Sequence, residues 1–326
     1  MSKPARMVAT SHQLSLAAME EASRTGERTA DLEHLLMALS LSEQPAGQVL
    51  RGLGVSLTAL REAVAHQRDA ELGLLGVEIM NAAQQRIVFH ETGGYEWSDR
   101  AMRVLDKVSV GDGGPSAVLL ALLEEPSGRV EQVLARLGVT PEQVGDRLAD
   151  AAGVVPDQAR FTRTDRAITR TSQAFIPAPV AEVWTLVADP ARLPEWDLNV
   201  AEVEPAEGGP WVARTRTRTP DGKEVRLGQG LEYQRVELLA QKDSSRVEWR
   251  FRYPERPDLN TRLVALALEP AAGGTQLKIS FAWELTGQRP RRPLRMVTGW
   301  IMRPAMRFAL WMQAAQVASS ISRVFR

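Results

Sequence analysis

The chain of 326 residues contains no cysteine. That removes disulfides, thiolate nucleophiles, Cys-ligated zinc and iron–sulfur clusters, and with them any sign of redox compartment. Histidine is scarce: His12, His34, His66 and His90 are the only four, and all lie in the first half. The second half therefore has neither imidazole nor thiol for acid–base or nucleophilic chemistry near neutral pH. No two histidines stand three or four residues apart, which excludes a helical His-pair metal site, and no cofactor or metal is implied. Long apolar runs are also missing. Residues 1–13 lack the apolar segment of a secretory signal, and the longest charge-free stretch near the C-terminus, Phe308 to Ser322, is too short and too rich in Gln and Ser to cross a bilayer. A cytoplasmic protein is expected. Nor is there an excess of one charge, with 40 Lys+Arg against 40 Asp+Glu, so no nucleic-acid partner is expected.

What the chain does have is length and 44% hydrophobic residues, enough for two ordinary cores. Its halves differ. Residues 1–158 hold 14 Lys+Arg against 22 Asp+Glu, a net of −8, and residues 159–326 hold 26 against 18, a net of +8. Seven of the eight tryptophans fall in the second half. The stretch AAGVVPDQARFTRTD has no sustained period and carries Gly153 and Pro156, as a linker does. Domains are expected at 1–150 and 165–326, with a linker at 151–164.

The first half repeats itself. EHLLMALSLSEQPAGQVLRGLGVSLTALREAV (33–64) aligns with SAVLLALLEEPSGRVEQVLARLGVTPEQVGDRL (116–148), with Leu36 matching Leu119 and VLRGLGV matching VLARLGV. Each copy reads as an apolar helix, a second helix closed by Gly54 or Gly138, and a third opening at Ser56 or at Thr140-Pro141. Further helical runs precede the copies at Ser11–Arg24 and Ser98–Val108. A pseudo-symmetric all-α domain follows. Through ADLEHLLMAL, VLRGLGVSLTALREAV and the duplicate, this half resembles the N-terminal repeat domain of the Clp unfoldases. The second copy has Ser116-Ala117 where that family repeats Glu-His. The resemblance implies docking of a protein partner. No ATPase accompanies it, because Gly222-Lys223 lacks the glycine-rich approach of a P-loop.

The second half switches to a period of two. Val247, Trp249, Phe251 and Tyr253 alternate with charged residues, as do Leu277, Ile279, Phe281, Trp283 and Leu285 with mostly polar ones. The expected order is a strand near 166–176, a helix at 179–188, a short helix at 190–196, six strands and a long C-terminal helix from about 293. Weak strands are expected at 211–219 and 227–237, joined by a Pro220-Asp221-Gly222 turn, and a hairpin turn at Ala272-Gly273-Gly274. This order, with Pro179/Val183/Trp184, Asp189-Pro190 and Pro194-Glu195-Trp196, resembles the polyketide cyclase/START-like (SRPBCC) superfamily. That likeness implies a helix-grip α+β fold, in which a curved antiparallel sheet wraps a C-terminal helix around an apolar cavity.

Motifs that carry chemistry fail one by one. His90-Glu91-Thr92-Gly93-Gly94 has glycine where a zinc protease needs its second histidine, and Gly111–Gly114 and Gly228-Gln229-Gly230 lack the third glycine of a dinucleotide fingerprint. Glu33-His34 reads as the first turn of a helix capped by Asp31 or Thr29, with His34 in a local hydrogen bond. If the aromatic face of the sheet is inward, the facing set holds Trp196, Thr215, Thr217, Gln229, Leu231, Tyr233, Trp249, Phe251, Phe281 and Trp283, which is nearly free of titratable groups. Such a set suits a hydrophobic small molecule or lipid, or else simply fills the core. Arg214, Arg216 and Arg218 are expected in solvent. Glu195 and Asp197, flanking Trp196, are read as solvated loop charges or, alternatively, as the acids of a cyclase or aromatase. A third alternative is an adaptor of a Clp-type proteolytic system with a vestigial cavity. Arg292, Arg295, Arg303 and Arg307 fall on one arc of the C-terminal helix, either as a solvated face or as a peripheral contact with anionic membrane.

Overall fold

The computed structural model describes residues 3–74, 94–109, 114–151, 167–206, 210–218, 223–242, 244–284 and 295–326. The His90 motif, Gly111–Gly113, the turn at Pro220–Gly222, most of the linker and Arg289–Arg292 lie outside these residues. So do the side chains of Arg295, Arg303 and Arg307, on which the arginine arc was read. The chain divides into two compact units, Met1–Pro156 (with Arg326 grouped to it) and Asp157–Phe325.

The first unit is helical. Its elements are α1 (Lys3–Arg24), β1 (Thr29–Ala30), α2 (Leu32–Ser40), α3 (Pro45–Gly52), α4 (Leu57–Leu74), β2 (Glu96–Trp97), α5 (Asp99–Ser109), α6 (Pro115–Leu123), α7 (Arg129–Arg136) and α8 (Pro141–Ala151). The repeat is visible in the order: α2–α3–α4 recurs as α6–α7–α8. Gly54 (φ +81) and Gly138 (φ +71) occupy equivalent left-handed positions after α3 and α7. In each copy the next amide reaches back, Val55 N to Leu50 O at 2.9 Å and Val139 N to Leu134 O at 3.1 Å, closing the helix as a Schellman turn does. The third helices open as the sequence suggests. The Ser56 hydroxyl accepts from Ala59 N at 3.2 Å, while Thr140 and Gln143 exchange amide–side-chain bonds at 3.0 and 3.3 Å. Leu35, Leu36, Leu39, Leu50 and Leu60 of the first copy share one core with Leu119, Leu122 and Leu134 of the second.

One polar junction locks the copies together. Asp31 caps α2, accepting from Leu32 N at 2.9 Å, while its own amide donates to His34 Nδ1 at 3.1 Å. This is the capping role read for Asp31 and His34, in its reciprocal form. Across the repeat, Ser98 Oγ donates to Asp31 at 2.5 Å and Arg100 Nη2 at 2.7 Å, beside the parallel pairing of Thr29 with Glu96 and Ala30 with Trp97. Arg129 of α7 approaches Glu33 at 3.4 Å. Burial raises the Asp31 pKa, but the Ser98 hydroxyl, the Leu32 amide and Arg100 together outweigh it and hold the carboxyl below its ordinary 3.8.

The second unit is an α+β fold. Its elements are β3 (Ala167–Ile176), α9 (Val180–Val187), a 3-10 turn (Pro190–Arg192), α10 (Leu193–Trp196), β4 (Val200–Pro205), β5 (Trp211–Thr215), β6 (Tyr233–Lys242), β7 (Arg246–Arg252), β8 (Thr261–Ala271), β9 (Gly274–Glu284) and α11 (Arg295–Val324). The seven strands form one antiparallel sheet in the order β3-β9-β8-β7-β6-β5-β4. The long helix α11 packs on β3, β9 and α10. Its buried residues Leu310, Ala314, Val317, Ala318 and Ile321 recur at helical spacing and join the inward residues of the sheet, consistent with a helix-grip fold. The β8–β9 hairpin turns at Gly273 (φ +74), as its composition suggests. Gly274 is required by crowding: a Cβ there would lie 2.2 Å from the Ile176 carbonyl oxygen.

Two expected strands are corrected. The strand at 211–219 ends at Thr215, with one last bond toward β4 beyond it, from Arg216 N to Asn199 O at 2.9 Å. The strand expected at 227–237 starts only at Tyr233. Gly230 (φ +76) and a turn bonded from Leu231 N to Gly228 O at 3.2 Å precede it.

The Asp31 junction has a testable consequence. A carboxyl whose folded pKa is depressed contributes stability that is complete above its unfolded pKa and is lost as pH falls through the folded value. Asp31→Ala is expected to lower helix stability by roughly 1–2 kcal/mol at pH 7. The gap between wild type and Asp31→Asn should hold down to about pH 4 and narrow as the pH falls further. Urea melts followed by circular dichroism at 222 nm read both effects, and a gap independent of pH would refute the account.

Candidate functional site

The inner face of the sheet is aromatic. Trp249 and Phe251 of β7, Phe281 of β9 and Trp196 of α10 are fully or almost fully buried in one cluster with Val236, Val264 and Leu310. They lie there because β7 and β9 keep strict alternation, and register sets Val236 opposite Phe251 and Leu238 opposite Trp249. Trp249 Nε1 donates to Val187 O at 3.0 Å, tying β7 to α9, and the ring meets Trp211 edge-on at a centroid distance of 6.0 Å.

Within this apolar face sits a charged pair. Arg262 of β8 forms a two-pronged contact with Asp197, which directly follows α10: Nη1 to Oδ1 at 3.0 Å and Nη2 to Oδ2 at 2.7 Å. Asp197 is 1% exposed and Arg262 9%. The guanidinium lies 3.9 Å from the centroid of Phe251 and 5.8 Å from that of Phe281, so both faces of the local chemistry, charge pairing and cation–π attraction, stabilise it out of water. Asp197 also accepts from Asn199 N at 3.0 Å. Around it, Arg216 Nη2 donates to Pro194 O at 2.9 Å and Val200 O at 2.8 Å, and Gln234 Nε2 donates to Thr215 Oγ1 at 3.1 Å. Asn199 O also accepts from Gln234 Nε2 at 3.5 Å, so the segment from α10 to β4 is held by side chains of β6, of β8 and of the residue after β5.

The expected facing residues divide accordingly. Trp196, Thr215, Trp249, Phe251 and Phe281 come together on the inner face, and Trp283 shares their parity but is only partly buried. Thr217, Gln229 and Tyr233 do not: all three are exposed, Tyr233 at 55%. The reason is the late start of β6, which makes Gln234 and Val236 inward and turns Tyr233 outward; a period-two reading begun at residue 227 is one residue out of phase. Leu231 is half-buried in the preceding turn. Asp197 is corrected from a solvated loop charge to a buried ion-pair partner, and Arg216 from solvent to a partly buried carbonyl clamp. Glu195 is exposed as expected, and hydrogen bonds from Arg192 at 2.6 and 2.7 Å hold its carboxyl below the usual range, the opposite of what a general acid needs. Arg214 is exposed beside Glu202, and Arg250 and Arg252 pair with Glu237 on the outer face. Sequence reasoning missed Arg262 and Gln234. Arg262 left a signal, since it stands in phase with the buried Val264, Leu266 and Leu268. Among the described residues no cluster of His, Asp and Glu is arranged to hold a metal ion, and no helix is long and apolar enough to cross a membrane.

Residues 167–317 match the model of the family described as polyketide cyclase / dehydrase and lipid transport. The match lies within the second unit. Among solved structures, a polyketide cyclase-like protein from Corynebacterium glutamicum is 19% identical, aligning 49% of this chain with 93% of its own at a TM-score of 0.32. A START superfamily protein from Mycobacterium smegmatis is 10% identical over 49% of this chain and 96% of its own, with a TM-score of 0.32. The di-domain ARO/CYC protein StfQ of the steffimycin biosynthetic pathway is 15% identical over 59% of this chain and 58% of its own, with a TM-score of 0.34. No curated protein matches the chain.

The ion pair dictates an asymmetry. Removing one partner leaves the other charge buried and unpaired, so Asp197→Asn and Arg262→Met are each expected to destabilise the second unit by about 3–5 kcal/mol. The double variant should recover most of that loss. Urea unfolding followed by tryptophan emission, which reports mainly on this unit, measures all three. Additive losses in the double variant would mean the pair does not act as one.

Proposed function

We propose that the second unit binds an apolar small molecule or lipid between α11 and the inner face of the sheet, without catalysing its conversion. The observation that carries this reading is the composition of that face: Trp196, Trp249, Phe251 and Phe281 around the Asp197–Arg262 ion pair. Apolar walls with a few fixed polar groups are what small-molecule sites use. The family description, with lipid transport in it, supports the same class of ligand. Thr215 and the partly buried Trp283 extend the proposed lining. For the first unit, the repeat and its resemblance to the Clp module support docking of a protein partner. An arginine-bearing C-terminal helix further suits a peripheral contact with anionic membrane during loading.

A second reading is a cyclase-like enzyme on an aromatic polyketide. One observation favours it: Asp197 and Arg262 place an acid and a guanidinium inside the apolar face.

Native mass spectrometry of the gently purified chain is expected to show a retained apolar mass, or uptake of one from a panel of lipids and aromatic polyketides. Trp249→Phe should weaken uptake by about tenfold, through the loss of ring area and of the tie to Val187. A chain that takes up nothing overturns the binding reading. Turnover of a polyketide that is lost in Asp197→Asn, in protein shown to be folded, would replace it with the enzymatic one.

A further inference from the structure

The outer face of the sheet gathers three arginines on one acid. Arg235 of β6 approaches Glu237 Oε1 at 3.3 Å, Arg252 of β7 reaches the same oxygen at 2.5 Å, and Arg250 of β7 reaches Oε2 at 3.2 Å. Among the described residues Glu237 is the only acid that any of the three touches. Three guanidiniums against one carboxylate leave two positive charges unmatched at one place. Register adds to the excess by setting Arg235 directly opposite Arg252, and like charges so placed are unfavourable. The next acids on this face do not relieve it. Glu202 pairs with Arg214, Glu248 pairs with Arg246, and Glu204 stands on β4, two strands away from Arg235. Two exposed residues that are not charged flank the cluster on the same face: Val212, opposite Arg235, and Tyr233, two residues before it on β6.

We propose that this outer face docks on a membrane through lipids whose headgroup is a phosphomonoester. Guanidinium groups present paired N–H donors that match the oxygens of a phosphate. A phosphomonoester carries close to two negative charges near neutral pH, which answers the unmatched pair of the cluster, whereas a phosphodiester headgroup or a carboxylate brings one. The source is a membrane because the arginines do not stand alone: Val212 and the amphipathic ring of Tyr233 lie beside them, placed to enter the boundary between headgroups and acyl chains. The site is on the opposite side of the sheet from Trp249 and Phe281. It therefore depends neither on a ligand at the inner face nor on the arginines of the C-terminal helix.

The test is flotation of the full chain with phosphatidylcholine vesicles doped either with phosphatidic acid or with phosphatidylglycerol to the same surface potential. Binding to the phosphatidic acid vesicles should be about tenfold tighter, the ratio one further charge-assisted hydrogen bond supplies. Arg235→Gln combined with Arg252→Gln should weaken it about 25-fold, at about fivefold for each arginine that reaches the surface. Glu237→Gln removes the competing acid and should tighten it about fivefold, a gain that damage to the fold would not produce. Tyr233→Ser should weaken binding to both anionic vesicles alike. No binding to either, equal binding to pure phosphatidylcholine, or equal affinity for the two anionic lipids overturns the proposal. So does a preference that survives the Arg235/Arg252 double variant but is lost when Arg295, Arg303 and Arg307 are changed together to Gln, which would assign the contact to the C-terminal helix. Inorganic phosphate that binds as tightly as the vesicles in calorimetry would mark a site for a soluble anion and overturn the membrane assignment.

Discussion

A guanidinium and a carboxylate placed inside an apolar layer are tolerable only as a pair, and that constraint organises the second unit. Arg262 is delivered by the middle of the sheet and Asp197 by the residue that ends α10. Neither alone could leave water without a large desolvation penalty. Their two-pronged contact therefore dictates where the segment from Leu193 to Val200 lies over the sheet, and Arg216 and Gln234 reinforce the same placement by donating to its carbonyls. Once that segment is placed, Trp196 has no choice but to enter the core, and α11 finds the surface against which it packs. The strap and the aromatic face are one construction.

That construction also limits the chemistry. Among the described residues of the inner face, the charges cancel within the pair, the hydroxyl of Thr215 is bonded to Gln234, and the exposed Glu195 is held ionised by Arg192. What remains to meet a guest is ring surface and a small number of neutral polar atoms. A site of this kind discriminates by shape and by single hydrogen bonds, and it has little with which to move protons.

The helical unit solves a different problem. Its helices are short, most of them about eight to eleven residues, and helices of that length are marginal in isolation. Duplication answers this by letting the apolar stripes of two copies cover each other, so that one core contains leucines of both. The junction at Asp31 then serves two purposes with one side chain, since the carboxylate that caps α2 also receives Ser98 and Arg100 from the start of α5, the helix that precedes the second copy.

Much of this was legible in the residues. The repeat, the glycine closures at Gly54 and Gly138, the Asp31 cap and the aromatic alternation of β7 and β9 are local facts, set by φ, by capping chemistry and by a period of two, and a chain states such facts within a few positions of itself. The match of motif order to a helix-grip fold belongs with them. What the residues could not state is which partners meet from far apart. Asp197 and Arg262 are 65 positions distant, and nothing in an exposed-looking Glu-Trp-Asp turn says that its acid will be buried by an arginine from another strand. The phase of β6 was hidden for a related reason: where a strand begins depends on the pairing of Ala213 with Gln234, not on the alternation upstream. Tertiary structure alone decided these points, because burial and pairing are properties of what the chain packs against, and one residue of slip or one distant charge reverses them without changing any local pattern.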